Sequence, residues 1–362
     1  MELADVETPA LLVDRALLDG NIAILAAYLQ RHAPGLRLRP HAKTHKSPDL
    51  ARRQVAAGAV GVCCQTVGEV EAMAAAGIAD VLLSNQVADA GKAARLAMLA
   101  GSARIGACVD HPLQVALLEE AAQEAGTRLH VLVEVDVGGG RCGVATPETA
   151  AALAGMVAES PGLVFAGLQA YHGRAQHLRG FDERQAAIEE ASRRAEAAAE
   201  RIRARGLACD TITGAGTGSF AFEAGSGVYT ELQCGSYVFM DADYALNQPD
   251  PQRAVPGFAH ALTLLTTVIS TPVPGRLVCD AGLKSMSLDS GPPSLALHPG
   301  LAYAGPSDEH STLDAPPDCT LQPGDRLQLI PGHCDPTVAM HDWLVVHADG
   351  VVTELWPVAR GW

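Results

Sequence analysis

The sequence predicts an α/β protein: a (β/α)8 TIM-type barrel followed by a C-terminal mostly β domain. Three observations predict it. Short apolar runs alternate with Ala-rich helical stretches over roughly 250 of the 362 residues, the size and rhythm of such a barrel. Inside some of these runs polar and apolar residues alternate, whereas strands of an open parallel sheet are usually apolar on both faces. Past about residue 251 the helical pattern stops and Pro and Gly become frequent, as in PDPQRAVPGF, TPVPG, SGPPS and DAPPD. A chain of this length has room for more than one domain.

The elements follow in order. RALLDGNIAILAAYLQRH (15–32) reads as a helix. Strands are expected at 36–43, 60–64, 80–85, 104–110, 129–136, 163–171, 209–215 and 231–238. Between them lie helical stretches such as SPDLARRQVAAG, TVGEVEAMAAAG, HPLQVALLEEAAQEAG and TPETAAALAGMVAES; several open on Ser, Thr or Asp and close on Gly, the cap residues. In 36–43, Leu36, Leu38, Pro40 and Ala42 share one face, and Arg37, Arg39, His41 and Lys43 the other. In 129–136, Val131, Val133 and Val135 oppose His130, Leu132, Glu134 and Asp136. A doubly wound open sheet is the runner-up. The later runs HALTLLTTVIS, GRLVCDAG, DRLQLIPGH and DWLVVHADGVVTELWPV are β-type. The expected division is a barrel over 10–250 and a β domain over 251–362 together with 1–9.

Composition excludes several classes. Net charge is −15, pI is near 5.2, and there is no long Lys/Arg run, so no nucleic-acid partner is expected. ASRRAEAAAERIRARG (191–206) interleaves Arg with Glu and reads as a solvated helix face. No stretch approaches the ~20 apolar residues of a membrane span, and the N-terminus MELADVETPALLVD lacks a signal-type pattern. Nine cysteines without a CxxC pair argue against a disulfide framework and for a reducing, cytoplasmic setting.

RPHAKTHK (39–46) carries the first chemical signal. In a barrel the C-terminal strand ends hold the chemistry, and Lys43 ends the first strand on its polar face. A lysine beside cationic groups in a partly desolvated site has a lowered pKa and can form a Schiff base; a surface lysine at a turn would show the same letters. Lys46 reads as the surface lysine of the next helix. TGAGTGSF (213–220) and QCGSY (233–237) follow the seventh and eighth strands, where barrels frequently bind phosphate. With Lys43 on strand one, they fit pyridoxal phosphate. Arg141 in GGGRCGV is either a solvated loop cation or a partner for a cofactor ring or a carboxylate. Tyr171 and His172 end strand six, and His177 follows in its loop; a lone loop histidine is more often solvated than catalytic, but three candidate groups at one rim balance the two readings. In PGHCDPTV, an extended backbone would put His333 and Asp335 on one face with Cys334 turned away. Such an N/O pair suits Mg²⁺ or Mn²⁺; a hydrogen-bonded histidine in a turn fits as well.

RPHAKTHK, EVDVGGGRCGV, LQAYHG, TGAGTGSF, QCGSYVFMD and PGHCDPTV together resemble the D-threonine aldolase and D-serine dehydratase family. These are fold-type III pyridoxal-phosphate enzymes with an alanine-racemase-like barrel and a C-terminal β domain. The resemblance spans nearly the whole chain. It implies that Lys43 carries pyridoxal 5'-phosphate as a Schiff base. It implies phosphate contacts from Gly214, Gly216, Thr217, Gly235 and Ser236, with Arg141 and Tyr171 near the cofactor. It places His177 on the substrate side as general base, a metal-bound water being the alternative. It makes His333 and Asp335 ligands of a divalent metal. The dehydratases look like His-x-Cys with zinc and the aldolases like His-x-Asp with Mn²⁺ or Mg²⁺. Asp335 therefore implies the aldolase branch, with Mn²⁺ or Mg²⁺ preferred over Zn²⁺: retro-aldol cleavage of D-3-hydroxy-amino acids (D-threonine, D-phenylserine or 3-hydroxy-D-aspartate type) to glycine and an aldehyde. The alternatives are a D-serine or 3-hydroxyaspartate dehydratase giving a 2-oxo acid and ammonia, and a non-catalytic pyridoxal-phosphate carrier, against which the β domain with its His/Asp pair counts. A homodimer with its site facing the partner's β domain is also implied.

Overall fold

The computed structural model describes residues 1–249 and 255–361. The expected junction at 250/251 and the final Trp362 lie outside the described residues. Strand β1 (Ala10–Asp14) leads into α1 (Arg15–His32). The barrel then runs β2 (Arg37–Leu38), α2 (Pro48–Ala56), β3 (Val62–Cys64), α3 (Val67–Ala75), β4 (Asp80–Gln86), α4 (Ala90–Leu99), β5 (Arg104–Val109), α5 (Pro112–Ala125), β6 (Leu129–Glu134), α6 (Pro147–Glu159), β7 (Leu163–Ala170), α7 (Phe181–Arg203), β8 (Ile212–Gly214), α8 (Phe220–Gly225) and β9 (Glu231–Leu232). The chain continues through β10 (Leu262–Val273), β11 (Arg276–Cys279), β12 (Ala302–Pro306), β13 (Ser311–Asp314), β14 (Arg326–Leu329), α9 (Cys334–Val338), β15 (Trp343–Ala348) and β16 (Val351–Pro357).

Local chemistry starts the helices where the caps fall. Asp14, Thr66, Asp89 and Thr146 each accept a first-turn backbone N–H, and α2, α5 and α6 begin on proline, whose missing N–H costs nothing there. The eight strands β2–β9 are all parallel, in the order β2-β9-β8-β7-β6-β5-β4-β3. The two ends of this curled sheet meet through a His41–Cys63 bridge and through Val60 N–H to Leu38 O (2.9 Å) and Cys63 N–H to Pro40 O (2.8 Å). Val131, Val133 and Val135 join the core under the helices, while Leu132 packs inside the barrel with Cys63, Leu82 and Cys108.

Polar groups fill the rest of the interior. At the N-terminal end of the barrel, buried Arg39 donates to Glu231 Oε1 (2.8 Å) and Asp80 Oδ1 (2.7 Å), and Arg104 also reaches Asp80. Burial alone would lower the Arg39 pKa, but the two carboxylates more than offset it. A charge so enclosed is tolerated only because it is paired. Arg39 therefore serves the barrel base, on the opposite side from the site.

The first strand is shorter than expected. Pro40 has no N–H to give a ladder, and beyond it Ala42–Thr44 form one 3₁₀ turn. Lys43 thus sits on a turn rather than on a strand end. His45 N–H and Lys46 N–H both donate to Ala42 O (3.1 and 2.7 Å), which closes that turn.

The second sheet is ordered β12-β13-β11-β10-β1-β15-β16, with β14 paired to β10. β1 runs antiparallel to β10 and parallel to β15, so the N-terminal part of this sheet extends to residue 14, past the expected limit at residue 9. Among the described residues one helix interrupts this β region: α9 falls on the CDPTV motif, for which an extended backbone was one possibility. Pro336 cannot serve a ladder but is accepted in the first turn of a helix. The layers are sewn together at the site. Ala242 N–H and Asp243 N–H donate to Pro331 O and Gly332 O (3.0 and 3.1 Å), and Ala359 N–H donates to Lys46 O (2.7 Å). Among the described residues no helix is long and apolar enough to cross a membrane.

Candidate functional site

One cavity opens at the C-terminal ends of the barrel strands. Lys43, Arg141, Tyr171, Gly216, Thr217, Gly235 and Ser236 all line it, joined by His41, Gln65, Ser84, Gln169, Gln233 and Tyr244. Gly214 does not line it. That glycine ends β8 against the neighbouring strand, where a Cβ would fall 2.3 Å from Ala170 O; Ala215 takes its place in the lining.

The floor is a layer of neutral polar groups. His41 hydrogen-bonds Ser84 Oγ through Nε2 (3.0 Å) and accepts Lys43 N–H at Nδ1 (3.3 Å). Burial, reinforced by the Lys43 charge, pushes His41 down to about 3, so its ring is neutral. Gln233 bonds both Gln169 (2.7 Å) and Thr213 (2.9 Å). Glu134 accepts from Gln86 Nε2 (2.5 Å) and lies 3.9 Å from the Arg141 guanidinium, and burial raises its pKa. Arg141 itself stands 5.7 Å from the Tyr171 ring centre. Asp136 does not face the cavity's chemistry: its Oδ1 accepts Gly138 N–H and Gly140 N–H (3.0 Å each) and so shapes the loop that carries Arg141.

The electrostatics of Lys43 differ from the sequence expectation. Its neighbour is not a cation but the Asp335 carboxylate, to which its ammonium is hydrogen-bonded. Burial would lower the Lys43 pKa, yet Asp335 turns the net shift upward. Burial likewise would raise Asp335, but Lys43 and His333 hold it well below the usual carboxylate range.

The loop after β8 fits an anion. Ala215 adopts a left-handed backbone (φ +70°) without being glycine, a strain that persists where surrounding structure demands it. A Cβ on Gly216 would lie 2.4 Å from Gln176 Oε1, and one on Gly235 would lie 2.6 Å from Thr44 Oγ1. Thr217 Oγ1 is buried and has no partner. A buried hydroxyl beside a glycine-lined hollow matches the oxygen-rich surface of a phosphate. Behind this loop Gln176 accepts Gly218 N–H (3.0 Å) and donates to Ser219 Oγ (2.7 Å), and Ser219 donates to Glu223 (2.8 Å).

Burial lifts Glu223 to about 7, against the opposing Ser219 bond. The folded state therefore holds this proton more tightly than the unfolded chain. The resulting stability is complete below the unfolded pKa of about 4.5 and is lost as pH rises through about 7. Between pH 5 and 8 the stability of a Glu223→Gln variant should gain about 3 kcal/mol relative to the parent. Urea unfolding at several pH values would measure it, and parallel curves would refute the assignment.

His333 and Asp335, the pair expected to bind a metal, are placed by a helix start rather than along an extended backbone. His333 is extended and caps α9, whereas Asp335 lies in the first turn of that helix. Cys334 is turned away, fully buried in the core. Asp335 Oδ1 is buried and unpartnered, and His333 Nδ1 bonds Asp289 Oδ2 (2.8 Å), which leaves Nε2 free. A free carboxylate oxygen and a free imidazole nitrogen two residues apart fit one divalent cation. Asp241, beside them, is raised to about 6, chiefly by burial, but its oxygens are taken by Tyr244 N–H (3.0 Å) and Cys334 N–H (3.2 Å). Among the described residues no set of three His, Cys, Asp or Glu forms a ready-made metal cage.

His177 stands beside the cavity, about half exposed, with Nδ1 bonded to Asp243 Oδ2 (2.7 Å) and its ring stacked on Tyr244 (5.7 Å between centres). Asp243, Tyr244, Gln176 and Asp289 were not singled out in the sequence. They sit in loops or single 3₁₀ turns with no motif spacing, and only tertiary contact reveals them. Lys46, read as a surface residue, is in fact paired with buried Glu69.

Residues 13–243 match the family described as alanine racemase, N-terminal domain, and residues 261–347 match a serine dehydratase domain family. The chain is 47% identical over 361 residues to a D-threonine aldolase of Arthrobacter sp, covering 99% of this chain and 94% of the relative. It is 44% identical over 366 residues to a 3-hydroxy-D-aspartate aldolase of Paracoccus denitrificans, covering 100% and 94%. A D-threo-3-hydroxyaspartate dehydratase of Delftia sp. is more distant, 29% identical over 384 residues and covering 99% of both chains. The crystal structure of D-threonine aldolase from Filomicrobium marinum superposes with a TM-score of 0.96 at 46% identity, over 99% of this chain and 97% of that one.

Proposed function

We infer that this chain, which belongs to the family of D-threonine aldolase and 3-hydroxy-D-aspartate aldolase, is a lyase that cleaves D-3-hydroxy-amino acids to glycine and an aldehyde. The observation that carries the aldolase reading is Asp335, an oxygen ligand with one buried, unpartnered oxygen beside Lys43. When bound, pyridoxal phosphate supplies an electron sink, and a divalent metal supplies Lewis acidity at the substrate hydroxyl. Lys43 is the attachment point for the cofactor. Thr217 and Ser236, with the glycine backbones at 216 and 235, hold the phosphate. Arg141 and Tyr171 would lie near the cofactor, and His41, neutral and bonded to Ser84, would add no charge to its pocket. His333 and Asp335 would hold the metal, and their N/O donor set would favour Mn²⁺ or Mg²⁺ over Zn²⁺. His177 takes the β-hydroxyl proton as general base.

Four further readings accompany this one. The substrate side chain is small or carboxylate-bearing, as in the relatives' own substrates. The protein works as a homodimer in the cytoplasm. It uses no nucleic-acid or membrane partner, in keeping with its acidic charge. Its barrel domain begins after β1, near residue 15, because β1 pairs in the second sheet.

The test is a product assay on purified protein with pyridoxal phosphate and Mn²⁺. D-threonine, D-3-hydroxyaspartate and D-serine are supplied with and without EDTA. Glycine plus an aldehyde, lost with EDTA, is expected. Ammonia plus a 2-oxo acid would make the dehydratase reading correct instead.

A further inference from the structure

We propose that Asp243 is a positioning residue: it holds His177 as the Nδ1–H tautomer, so that Nε2 presents a lone pair to the substrate hydroxyl. The inference rests on the reading of His177 as the base of the cleavage, and it adds how that base is aimed and why it is ready.

The geometry is specific. Asp243 Oδ2 lies 2.7 Å from His177 Nδ1, and the carboxylate is buried. An ionised carboxylate only accepts, so Nδ1 must donate, and in a neutral imidazole the other nitrogen is then the acceptor. The second carboxylate oxygen, Oδ1, receives the Arg179 guanidinium, which supplies the counter-charge that a buried carboxylate needs. Arg179 also donates to Asp243 O (2.7 Å) and Asn247 Oδ1 (2.8 Å). Asn247 Nδ2 in turn donates to Gln176 O (2.9 Å), next to His177. Tyr244 stacks on the imidazole with 28° between the planes and limits its rotation.

Asp243 is also tied to the metal motif. Its backbone N–H donates to Gly332 O (3.1 Å), the residue before His333. One short segment, 241–243, therefore sets the distance between the base and the His333/Asp335 pair. A hydroxyl oxygen that must meet both at once demands such a common reference.

The proton step balances. The substrate O–H bond breaks and an N–H bond forms at Nε2. The O–H electron pair stays on oxygen and becomes the second C=O bond of the aldehyde as Cα–Cβ opens. The Cα–Cβ pair remains on the glycine fragment, which takes a proton at Cα from water, and the imidazolium returns its proton to solvent. The Asp243 carboxylate, paired with Arg179, offsets the charge of the imidazolium.

The test uses the cofactor-loaded protein with ¹⁵N-labelled histidine, at a pH where imidazoles are neutral. The His177 signals are assigned by their disappearance in His177→Gln. In the unaltered protein they should show a protonated Nδ1 and a bare Nε2, an observation that needs no variant to fold. In Asp243→Asn the side-chain amide can donate to Nδ1, and the proton should move to Nε2. Turnover of D-threonine should fall at least about 100-fold, the scale of a lost general base. KM should stay within about threefold, and the cofactor's visible band should be unchanged. The Asp243→Asn/His177→Gln double variant should be no slower than His177→Gln alone, because both changes remove one function. A protonated Nε2 in the unaltered protein, or an unmoved proton in Asp243→Asn, overturns the positioning role. A double variant far slower than His177→Gln shows that Asp243 acts elsewhere and also overturns it. If the proton moves as expected but both single variants keep normal turnover, the base assignment of His177 is what fails.

Discussion

Replacing Lys43 by alanine should lower D-threonine cleavage by at least about 10⁴-fold, the scale at which removal of a covalent catalytic group is felt, and should abolish the visible absorption of the loaded protein. The chain has four lysines: Lys43, Lys46, Lys92 and Lys284. Lys284 is exposed and paired with Glu309. Lys92 lies in the first turn of α4, on the outer helical layer. Lys46 is near the site, but its ammonium is held by buried Glu69, which also accepts Gln65 N–H (2.7 Å). Lys43 alone lines the cavity that carries the phosphate-like hollow. The turn beneath it is closed by backbone bonds from His45 and Lys46 to Ala42 and does not depend on the Lys43 side chain. The alanine variant should therefore keep its far-ultraviolet circular dichroism. Borohydride reduction of the loaded parent protein, followed by peptide mapping, should place the cofactor mass on the Lys43 peptide. Retention of both the visible band and turnover by Lys43→Ala would move the attachment point to another lysine.

The helices were legible because their signals are local. The apolar pattern of 15–32 gave both ends of α1, where Asp14 caps the N-terminus. The barrel strands were legible because each is a short apolar run between helices, and the rim residues followed from the rule that strand ends converge. The convergence of Lys43, Gly216, Thr217, Gly235 and Ser236 on one cavity is that rule at work. What was not legible depends on pairing between distant segments. β1 looks like a lead-in to α1, but its partners, β10 and β15, lie some 250 and 330 residues further along. The CDPTV helix was not legible, and the pairing of His333 with Asp335 was argued only for an extended backbone, because a five-residue helix is too short to show a period. The conclusion that Cys334 turns from the pair survived by a different route, since its thiol packs in the core. The charge around Lys43 was misjudged for a similar reason. His41 and Arg39 are neighbours in sequence, yet one is neutral and the other is engaged at the barrel base. The group that sets the Lys43 environment is Asp335, 292 residues away in the chain.

Removing Asp335 should have the second-largest effect. Asp335→Ala should lower turnover by about 10² to 10⁴-fold, the several kcal/mol of transition-state stabilisation that a Lewis-acid metal contributes. The loss should match that of the parent protein stripped with EDTA, and added Mn²⁺ should restore the stripped parent but not the variant. The visible band should persist, because Asp335 takes no part in the phosphate hollow and the turn that carries Lys43 is closed by backbone bonds to Ala42, although the variant loses the Lys43–Asp335 ion pair. Asp335→Cys offers a finer reading. Cys334, buried in the core, already shows that a thiol in this motif need not face the metal; a thiolate at 335 would. It would give a softer, N/S donor set and should move the preference from Mn²⁺ toward Zn²⁺. Metal titrations followed by calorimetry would measure that change directly, independent of turnover. His333 should keep its aim in both variants, because its Nδ1 bond to Asp289 does not pass through position 335. Full activity of metal-stripped Asp335→Ala would mean that this carboxylate only neutralises Lys43. The chemistry at the hydroxyl would then fall to His177 alone.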